Sequence, residues 1–174
     1  VPSSTPKTTI DYDAMGRVIK TTNPDGSYTT AEYGNWVTSM IDENGHKQTS
    51  YADAYGRLIQ KEEYFGADGR SSAYPPEAFS VYATTNYTYD SEGNLTKVKD
   101  AHGNVSVISY DALGRKISMK DPDMGYWEYK YDTAGNLIWQ KDAKGQELTF
   151  SYDAINRLVN KTDGSPILNV GYTY

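Results

Sequence analysis

The sequence predicts an all-β protein, built as a repetitive antiparallel β-hairpin array that forms an open, curved or spiralling sheet. Three observations lead to this prediction. A Tyr-Asp pair recurs with a period of 21 residues, Asp-x-x-Gly motifs follow at regular intervals, and the segments between them alternate apolar and polar residues. No window carries an apolar stripe with helical spacing over a useful length. We therefore expect roughly two strands per repeat.

Seven repeat starts can be read along the chain. Five carry the intact pair: Tyr12-Asp13, Tyr89-Asp90, Tyr110-Asp111, Tyr131-Asp132 and Tyr152-Asp153. Two degenerate starts stand at Tyr33-Gly34 and Ala52-Asp53. Because one repeat cannot bury its apolar face alone, neighbouring repeats must stack for the array to be stable. The predicted array covers residues 10–174, after an N-terminal tail at residues 1–9, and the ending Tyr172-Thr173-Tyr174 predicts that an eighth repeat would follow.

Each repeat start is predicted to be a tight turn that closes a hairpin. In a type I turn, Asp at the first position accepts hydrogen bonds from backbone amides, and the fourth position adopts the positive φ that favours Gly. Asn replaces this Gly once and also tolerates the left-handed region. The predicted structural turn residues are Asp13, Gly16, Asp53, Gly56, Asp90, Gly93, Asp111, Gly114, Asp132, Gly135, Asp153 and Asn156.

A second turn follows ten residues after the first, as at Asp132 and Asp142. At Gly34-Asn35 the interval shrinks, and a two-residue hairpin loop is predicted in place of the four-residue turn. The segments between turns are about six residues long, near the usual strand length. Tyrosine dominates the aromatic residues, with 17 Tyr against 3 Phe and 3 Trp, which suits half-exposed strands.

Composition and charge exclude several classes of protein. The 174 residues carry a formal net charge of −6 and no cysteine, so disulfides and thiolate metal sites are excluded while the compartment stays open. No apolar run approaches the length of roughly 18 residues that a membrane span needs. The acidic balance and scattered Lys and Arg argue against a nucleic-acid-binding face. Neither nucleic acid nor a membrane span is therefore expected.

An insertion at about residues 67–86 interrupts the repeats, since the spacing from Asp53 to Asp90 is 37 residues, 16 more than the period. Tyr74-Pro75-Pro76-Glu77 is predicted to start a short helix, because proline is tolerated in a first helical turn. The insertion either covers an exposed edge of the sheet or forms a recognition loop. In the second case Tyr74, Phe79 and Tyr82 are candidate ligand contacts.

No catalytic residue, cofactor site or metal site is predicted. Acids placed identically at every turn corner indicate a structural role, whereas a glycosidase needs two carboxylates that face one cleft. Calcium was considered at Asp121-Pro122-Asp123 and at residues 42–45, but neither follows an alternating ligand loop closed by a distant Glu. His46 and His102 lie beside second turns without the further ligands that zinc requires. We therefore expect a protein that is not an enzyme.

The stretch GYWEYKY offers a second candidate contact surface. Tyr126, Trp127 and Tyr129 could form a platform on which the apolar face of a sugar stacks. The alternative is that these rings pack as a cross-strand aromatic ladder, which stabilises the sheet without binding anything. The residues alone leave both interpretations open.

The repeats YDAMGRVI, YDSEGNLT, YDALGRKI, YDTAGNLI and YDAINRLV, most of them followed ten residues on by a second turn, resemble the YD repeats of the Rhs family. The resemblance extends from about residue 10 to residue 174, apart from the insertion. That family includes bacterial Rhs and wall-associated polymorphic toxins, the C components of insecticidal toxin complexes, and the teneurins. The resemblance implies a β sheet that spirals into a hollow shell.

In the toxin members the shell encloses a C-terminal toxin, and in teneurins the repeats serve recognition at the cell surface. Carbohydrate binding is also ascribed to YD repeats. The implied partners are further YD repeats or a second copy bound through open strand edges, a toxin cargo, and a glycan. The implied localisation of the parent protein is secreted or cell surface, in bacteria. The self-cleaving core segment of the toxins is absent, so no proteolytic residue is transferred to this sequence.

Overall fold

The computed structural model describes residues 7–165 and 169–174, and residues 1–6 of the predicted tail lie outside the described residues. The described residues form strands and turns and no helix. The strands are β1 (Thr9–Tyr12), β2 (Val18–Thr22), β3 (Tyr28–Tyr33), β4 (Val37–Ile41), β5 (Lys47–Ala52), β6 (Leu58–Ala67), β7 (Glu77–Tyr89), β8 (Leu95–Lys99), β9 (Val105–Tyr110), β10 (Lys116–Asp121), β11 (Gly125–Tyr131), β12 (Leu137–Lys141), β13 (Glu147–Tyr152), β14 (Leu158–Thr162) and β15 (Asn169–Gly171). The prediction of an all-β hairpin array is confirmed.

The chain divides into two compact units, residues 1–87 with 100–103, and residues 88–99 with 104–174. In the first unit, each of the strands β1 to β6 pairs antiparallel with the strand that follows it in the sequence. In the second unit, β8 to β15 pair in the same way. This order follows from the sequence because a short turn can join only antiparallel neighbours.

The turns at the repeat starts have the geometry of a four-residue turn that ends in a left-handed residue. In the turn at Asp132, the Gly135 amide donates to the Asp132 carbonyl at 3.2 Å, and the Asp132 amide donates to the Asn136 carbonyl at 3.0 Å. Gly135 has a φ of 92°. Asn156, which replaces the glycine in the last repeat, has a φ of 63° and makes the same backbone bond to Asp153 at 3.0 Å.

A β-bulge follows these turns on the return strand. Between β11 and β12, Lys130 pairs with Trp139 but Tyr131 pairs with Leu137, so Ile138 is an extra residue that has no opposite partner. The same one-residue shift falls six residues after the turn Asp in four other hairpins. The extra residues there are Ile19, Ile59, Ile117 and Val159. The bulge is therefore a periodic part of the repeat.

Two local predictions were wrong. The loop of the β3–β4 hairpin is Asn35-Trp36, one residue later than predicted, because the Gly34 amide bonds to the Val37 carbonyl at 2.8 Å and keeps Gly34 in the ladder. Trp36 then takes the positive φ, 62°. The predicted helix at residues 74–77 is absent: Tyr74 bridges Ser71, and Glu77 begins β7. Both Tyr74 and Pro75 precede a proline, which disfavours the helical conformation of the preceding residue.

Within each unit, the described strands form a layer with almost no interior. Among the described residues, Ala67 is the buried apolar residue and Thr49 the buried polar one, at 5% and 3% exposure, and no large side chain is fully buried. A compact domain of about 150 residues would remove some 70% of its surface from water. Stability must therefore come from cross-strand pairs and hydrogen bonds within the layer.

Replacing Gly135 by Val should destabilise the protein by roughly 1–2 kcal/mol, because a β-branched residue resists positive φ. A Cβ at this position would meet no atom within 4 Å, so conformational strain is the whole effect. Denaturant unfolding of the purified chain measures the change. Gly135→Asn is the matched control and should cost less, as Asn156 already occupies the equivalent position; equal losses in the two variants would contradict the turn assignment.

Candidate functional site

Each repeat corner is organised by its aspartate. In the corner at Asp111, one carboxylate oxygen accepts from the Leu113 and Arg115 amides, both at 2.9 Å, and the other accepts from the Arg115 Nε at 2.6 Å. Asp13, Asp53 and Asp153 make the same three bonds with their own turns. At Asp90 and Asp132 an Asn side chain, Asn94 or Asn136, replaces the Arg. Every acceptor atom of these carboxylates thus serves the turn.

The hydrogen bonds at the corners favour the ionised carboxylate. The Arg115 backbone amide and guanidinium hold the pKa of Asp111 below its usual value. The Asn136 side chain does the same for the pKa of Asp132. A general acid or base needs a pKa near the operating pH, and these carboxylates are shifted away from it. Their chemistry suits turn stabilisation rather than catalysis.

Five repeat tyrosines link their own strand to the hairpin before it. The Tyr131 hydroxyl donates to the Lys116 carbonyl at 2.9 Å, across 15 residues of sequence. Four further tyrosines donate in the same way to the carbonyl of the first strand residue after the preceding turn. These bonds join Tyr33 to Val18, Tyr110 to Leu95, Tyr152 to Leu137 and Tyr174 to Leu158, at 2.9–3.0 Å.

The bulge explains why a side chain reaches this carbonyl. The ladder between β10 and β11 ends at the pair Ser118 and Glu128, and Lys116 lies two residues beyond it, on the far side of the extra residue Ile117. The neighbouring strand has left the ladder there, so the tyrosine hydroxyl occupies the position that a backbone amide would otherwise fill. Burial raises the pKa of Tyr131, which keeps its hydroxyl a donor.

Arginines of the corners contact the tyrosine of the next repeat. The Arg115 guanidinium lies over the Tyr131 ring at 5.0 Å and donates to the Asp132 carbonyl at 2.9 Å. Arg17 lies over Tyr33 at 4.4 Å and Arg157 over Tyr174 at 4.6 Å. One arginine therefore closes its own turn and packs against the next one, by a contact that favours a cation over an aromatic face.

The insertion extends the β6–β7 hairpin and folds back onto strands of its own unit. Arg70, near its tip, has a side chain only 5% exposed and forms an ion pair with Asp68 at 2.6 Å. Its guanidinium donates to the Tyr28 carbonyl at 3.0 Å and to the Thr30 hydroxyl at 3.0 Å, and it lies over the Tyr28 ring at 4.4 Å. The Asp68 amide bonds to the Gly45 carbonyl at 3.3 Å. These contacts attach the insertion to β3 and to the β4–β5 turn.

The hollow beside the insertion contains two of its three predicted ligand-contact residues. Tyr74 and Tyr82 line this hollow of about 600 Å³, together with His46, Lys47 and Phe65 among others. Phe65 and Tyr82 stand ring to ring at 4.4 Å and are 62% and 51% exposed. The third predicted residue, Phe79, contacts the Tyr64 ring at 6.4 Å instead and does not line the hollow.

The predicted platform in GYWEYKY is not a single surface. Trp127 and Tyr129 stack with ring centroids 6.4 Å apart, and Lys116 lies over Tyr129 at 4.5 Å. Tyr126 is the neighbour of Trp127 on the same strand, so its side chain points to the opposite face of the sheet. Tyr126 therefore cannot share one stacking surface with Trp127 and Tyr129.

Sequence reasoning missed two polar groups of the first unit. Nothing in the sequence marks Arg70 as buried. Glu62 accepts from the hydroxyls of Tyr51 at 2.9 Å and Tyr64 at 2.7 Å, and this contact raises the pKa of Tyr51 to about 12. The alternation of residues along β5 and β6 places Tyr51 and Glu62 on a shared face, and this pattern could have indicated the contact between them.

Residues 7–165 and 169–174 contain neither a cluster of metal ligands nor a candidate membrane-spanning helix. No three His, Asp or Glu side chains there are placed to hold a metal ion. Within the same residues, the structure contains no helix with the length and hydropathy needed to cross a bilayer.

Comparisons with known proteins agree on one architecture. The family model described as RHS Repeat matches residues 89–123 and 126–165. No curated protein matches the sequence. Among solved structures, the chain is similar to a crystal structure of TcdB2-TccC3-Cdc42, with 20% identity, a TM-score of 0.71, and coverage of 93% of this chain and 9% of that chain. A TcdB2-TccC3 crystal structure matches at 20% identity and a TM-score of 0.72, covering 88% and 8%.

A structure of the Photorhabdus luminescens Tc holotoxin pore matches at 19% identity and a TM-score of 0.70, again covering 88% of this chain and 8% of that chain. The chain thus spans less than a tenth of the chains it matches, and identities this low bear on the fold. The corners, the bulges and the tyrosine links define a YD-repeat array. The RHS Repeat match assigns repeats of this family to residues 89–123 and 126–165, and the solved structures show that the chain shares their fold.

Acidification should destabilise the array through its corners. A carboxylate whose pKa is lowered by folding contributes stability above its unfolded pKa of about 4, and that contribution is lost as pH falls through the folded pKa. We expect the melting temperature to fall on acidification below about pH 4. Asp111→Asn should lower the melting temperature at neutral pH, with a difference from the natural protein that shrinks on acidification. Asp11→Asn, on exposed strand β1, is the control; an equal effect there would contradict this account.

Tyr131→Phe should cost about 1 kcal/mol of unfolding free energy, since it removes one hydrogen bond and leaves the ring in place. The loss should appear as a lower denaturant midpoint with an unchanged slope. Tyr126→Phe is the matched control, because Tyr126 is 50% exposed and lies on the same strand. If both substitutions were neutral, the hydroxyl would have no structural role.

Proposed function

We propose that this array is a non-catalytic wall segment of a β shell in a larger exported protein. One observation carries the proposal: within each unit the described strands form a layer in which no large side chain is fully buried. A sheet of this kind is poorly suited to an independent globular domain, which needs at least two packed layers around a core. It is well suited to a wall that separates two spaces.

The repeat links suit this role. Five tyrosine hydroxyls and, at several corners, an arginine fix one hairpin to the one before it, so the wall gains stability as such repeats are added. Among residues 7–165 and 169–174, strands β1 and β15 each pair with one neighbouring strand. Open edges of this kind accept further strands. Their partners would be further YD repeats of the parent chain, or a second copy of this chain.

The proposed content of the shell is a toxin domain C-terminal to the repeats. The support is indirect: the matched chains come from structures of TcdB2-TccC3 and of a Tc holotoxin pore, and they share this fold at 19–20% identity. A protein of this kind would be secreted or displayed on a bacterial surface. The engaged aspartates of the corners are consistent with a wall that has no catalytic activity.

A second candidate function is binding of a glycan or a surface protein at the hollow beside the insertion. The exposed Phe65–Tyr82 ring pair favours it, since rings at the edge of a hollow can stack on the apolar face of a sugar. The contacts of Arg70 favour the first function instead, because they fix the insertion as a cover over its own strands.

Protease protection of the parent protein tests the proposal. The native protein is digested, and mass spectrometry asks whether a segment C-terminal to the repeats survives. Survival in the natural protein and in Gly135→Asn, with loss in Gly135→Val, is the result expected of a container. Prompt digestion in all three, together with glycan binding that Phe65→Ala and Tyr82→Ala abolish, would replace the container with the binding function.

A further inference from the structure

Charge is distributed unevenly in the second unit. Its aspartates lie at turn corners or at strand ends, whereas seven lysines lie on its strands: Lys97, Lys99, Lys116, Lys120, Lys130, Lys141 and Lys161. The acids on these strands are Asp121, Glu128 and Glu147. The faces of this unit are therefore cationic within a chain of net charge −6. The lysines are scattered in the sequence because each strand contributes only one or two.

Three of these lysines share one face and one neighbourhood. Lys97 pairs with Val107, Val107 pairs with Lys120, and Lys120 pairs with Tyr126, so the four residues form a row across β8, β9, β10 and β11. Directly opposed residues of neighbouring strands point to the same face. Lys99 lies two residues from Lys97 on that face. We call these five residues the lysine row.

The lysine row is exposed and its charges are not neutralised. Lys97, Lys99 and Lys120 are exposed and have no acidic partner within residues 7–165 and 169–174. Other lysines on the strands of this unit are engaged, as Lys141 is with Glu147 at 3.2 Å and Lys130 is with the Trp139 ring at 4.2 Å.

The apolar members of the row are exposed as well. Val107 and Tyr126 are 43% and 50% exposed and alternate with the cations Lys97 and Lys120. Neighbouring strands are about 4.8 Å apart. Along the row, a cation, an apolar side chain, a second cation and an aromatic ring therefore follow one another at that interval.

The geometry points to a docking surface for an acidic amphipathic helix laid across the strands. One helical turn advances about 5.4 Å, close to the spacing of about 4.8 Å between strands, so one residue per turn meets each strand. Acids at positions i and i+7 of the partner would meet Lys97 and Lys120. Apolar residues at i+4 and i+11 would meet Val107 and Tyr126. Lysine side chains are long enough to absorb the small mismatch of period.

A polypeptide fits the lysine row better than a nucleic acid does. Phosphate backbones are recognised along a continuous basic stripe, often rich in Arg. Here Glu128 lies beside Tyr126 on the same face, and none of the residues in the row is Arg. A chain of phosphates has no apolar groups to contact the apolar positions of the row. An amphipathic helix supplies both acidic and apolar side chains.

Fluorescence anisotropy with the 174-residue chain tests this surface. The probe is a labelled 18-residue synthetic helix with Glu at i and i+7, Leu at i+4 and i+11, and Ala or Gln elsewhere. The triple variant Lys97→Gln, Lys99→Gln, Lys120→Gln should weaken binding by about tenfold, since the charge pairs to Lys97 and Lys120 contribute up to about 1 kcal/mol each. The matched control Lys116→Gln, Lys144→Gln, Lys161→Gln removes equal charge elsewhere and should change the affinity less than about twofold.

One more peptide and one more variant separate the alternatives. A permuted peptide of the same composition should bind the natural chain weakly. Val107→Ser should weaken binding of the patterned peptide while leaving all charges of the chain in place. The proposal is overturned if the patterned peptide does not bind, if both triple variants lose affinity equally, or if the permuted peptide binds as well. Binding of heparin or single-stranded DNA without binding of the peptide would also overturn it, in favour of a polyanion site.

Discussion

The hydrogen bond from a repeat tyrosine to the carbonyl of the preceding hairpin is the interaction on which the rest of the structure depends. Each bulge lies beside a strand end at which the ladder to the next strand has stopped, and a backbone carbonyl there needs a donor. The Tyr131 hydroxyl supplies it to Lys116 at 2.9 Å, and the equivalent bonds recur through the array. Turn, bulge and tyrosine thus form one unit, which explains why they repeat together.

The absence of a core makes these links important. A two-layer domain gains stability from side chains removed from water on all sides, but this sheet leaves most of its side chains half-exposed. Stability must then be the sum of many local terms, as in other repeat proteins. The aspartate corners fix the turn, the tyrosines fix one hairpin to another, and arginines such as Arg115 do both. Removal of any one of these contacts should first destabilise the hairpins that the contact joins.

Much of the fold could be predicted from the sequence because the period, the turn chemistry and the alternation of strands all indicate hairpins. Asp132 and Gly135 lie in turns of the expected kind. The bulge at Ile138 could not be predicted, since it depends on how two strands diverge in space. The helix expected at Tyr74 was wrong because consecutive prolines favour an extended chain more than they favour a helix start.

The candidate site was less predictable than the fold. The burial of Arg70 depends on where the insertion folds, which no local pattern records. In GYWEYKY, adjacent residues of a strand face opposite sides, so Tyr126 is separated from Trp127 and the three candidate residues do not share one face. The lysine row was hidden for the opposite reason: its members are distant in sequence and meet only when β8 to β11 pair in register.

Hydroxyl proton exchange, measured by NMR, tests the tyrosine link most directly. In a mixture of H2O and D2O, a slowly exchanging tyrosine hydroxyl splits its Cζ signal into two lines, and a rapidly exchanging one gives a single averaged line. The link predicts two lines for Tyr33, Tyr110, Tyr131 and Tyr152, and one line for the exposed Tyr55 and Tyr126. Single averaged lines from all of these tyrosines would contradict the account.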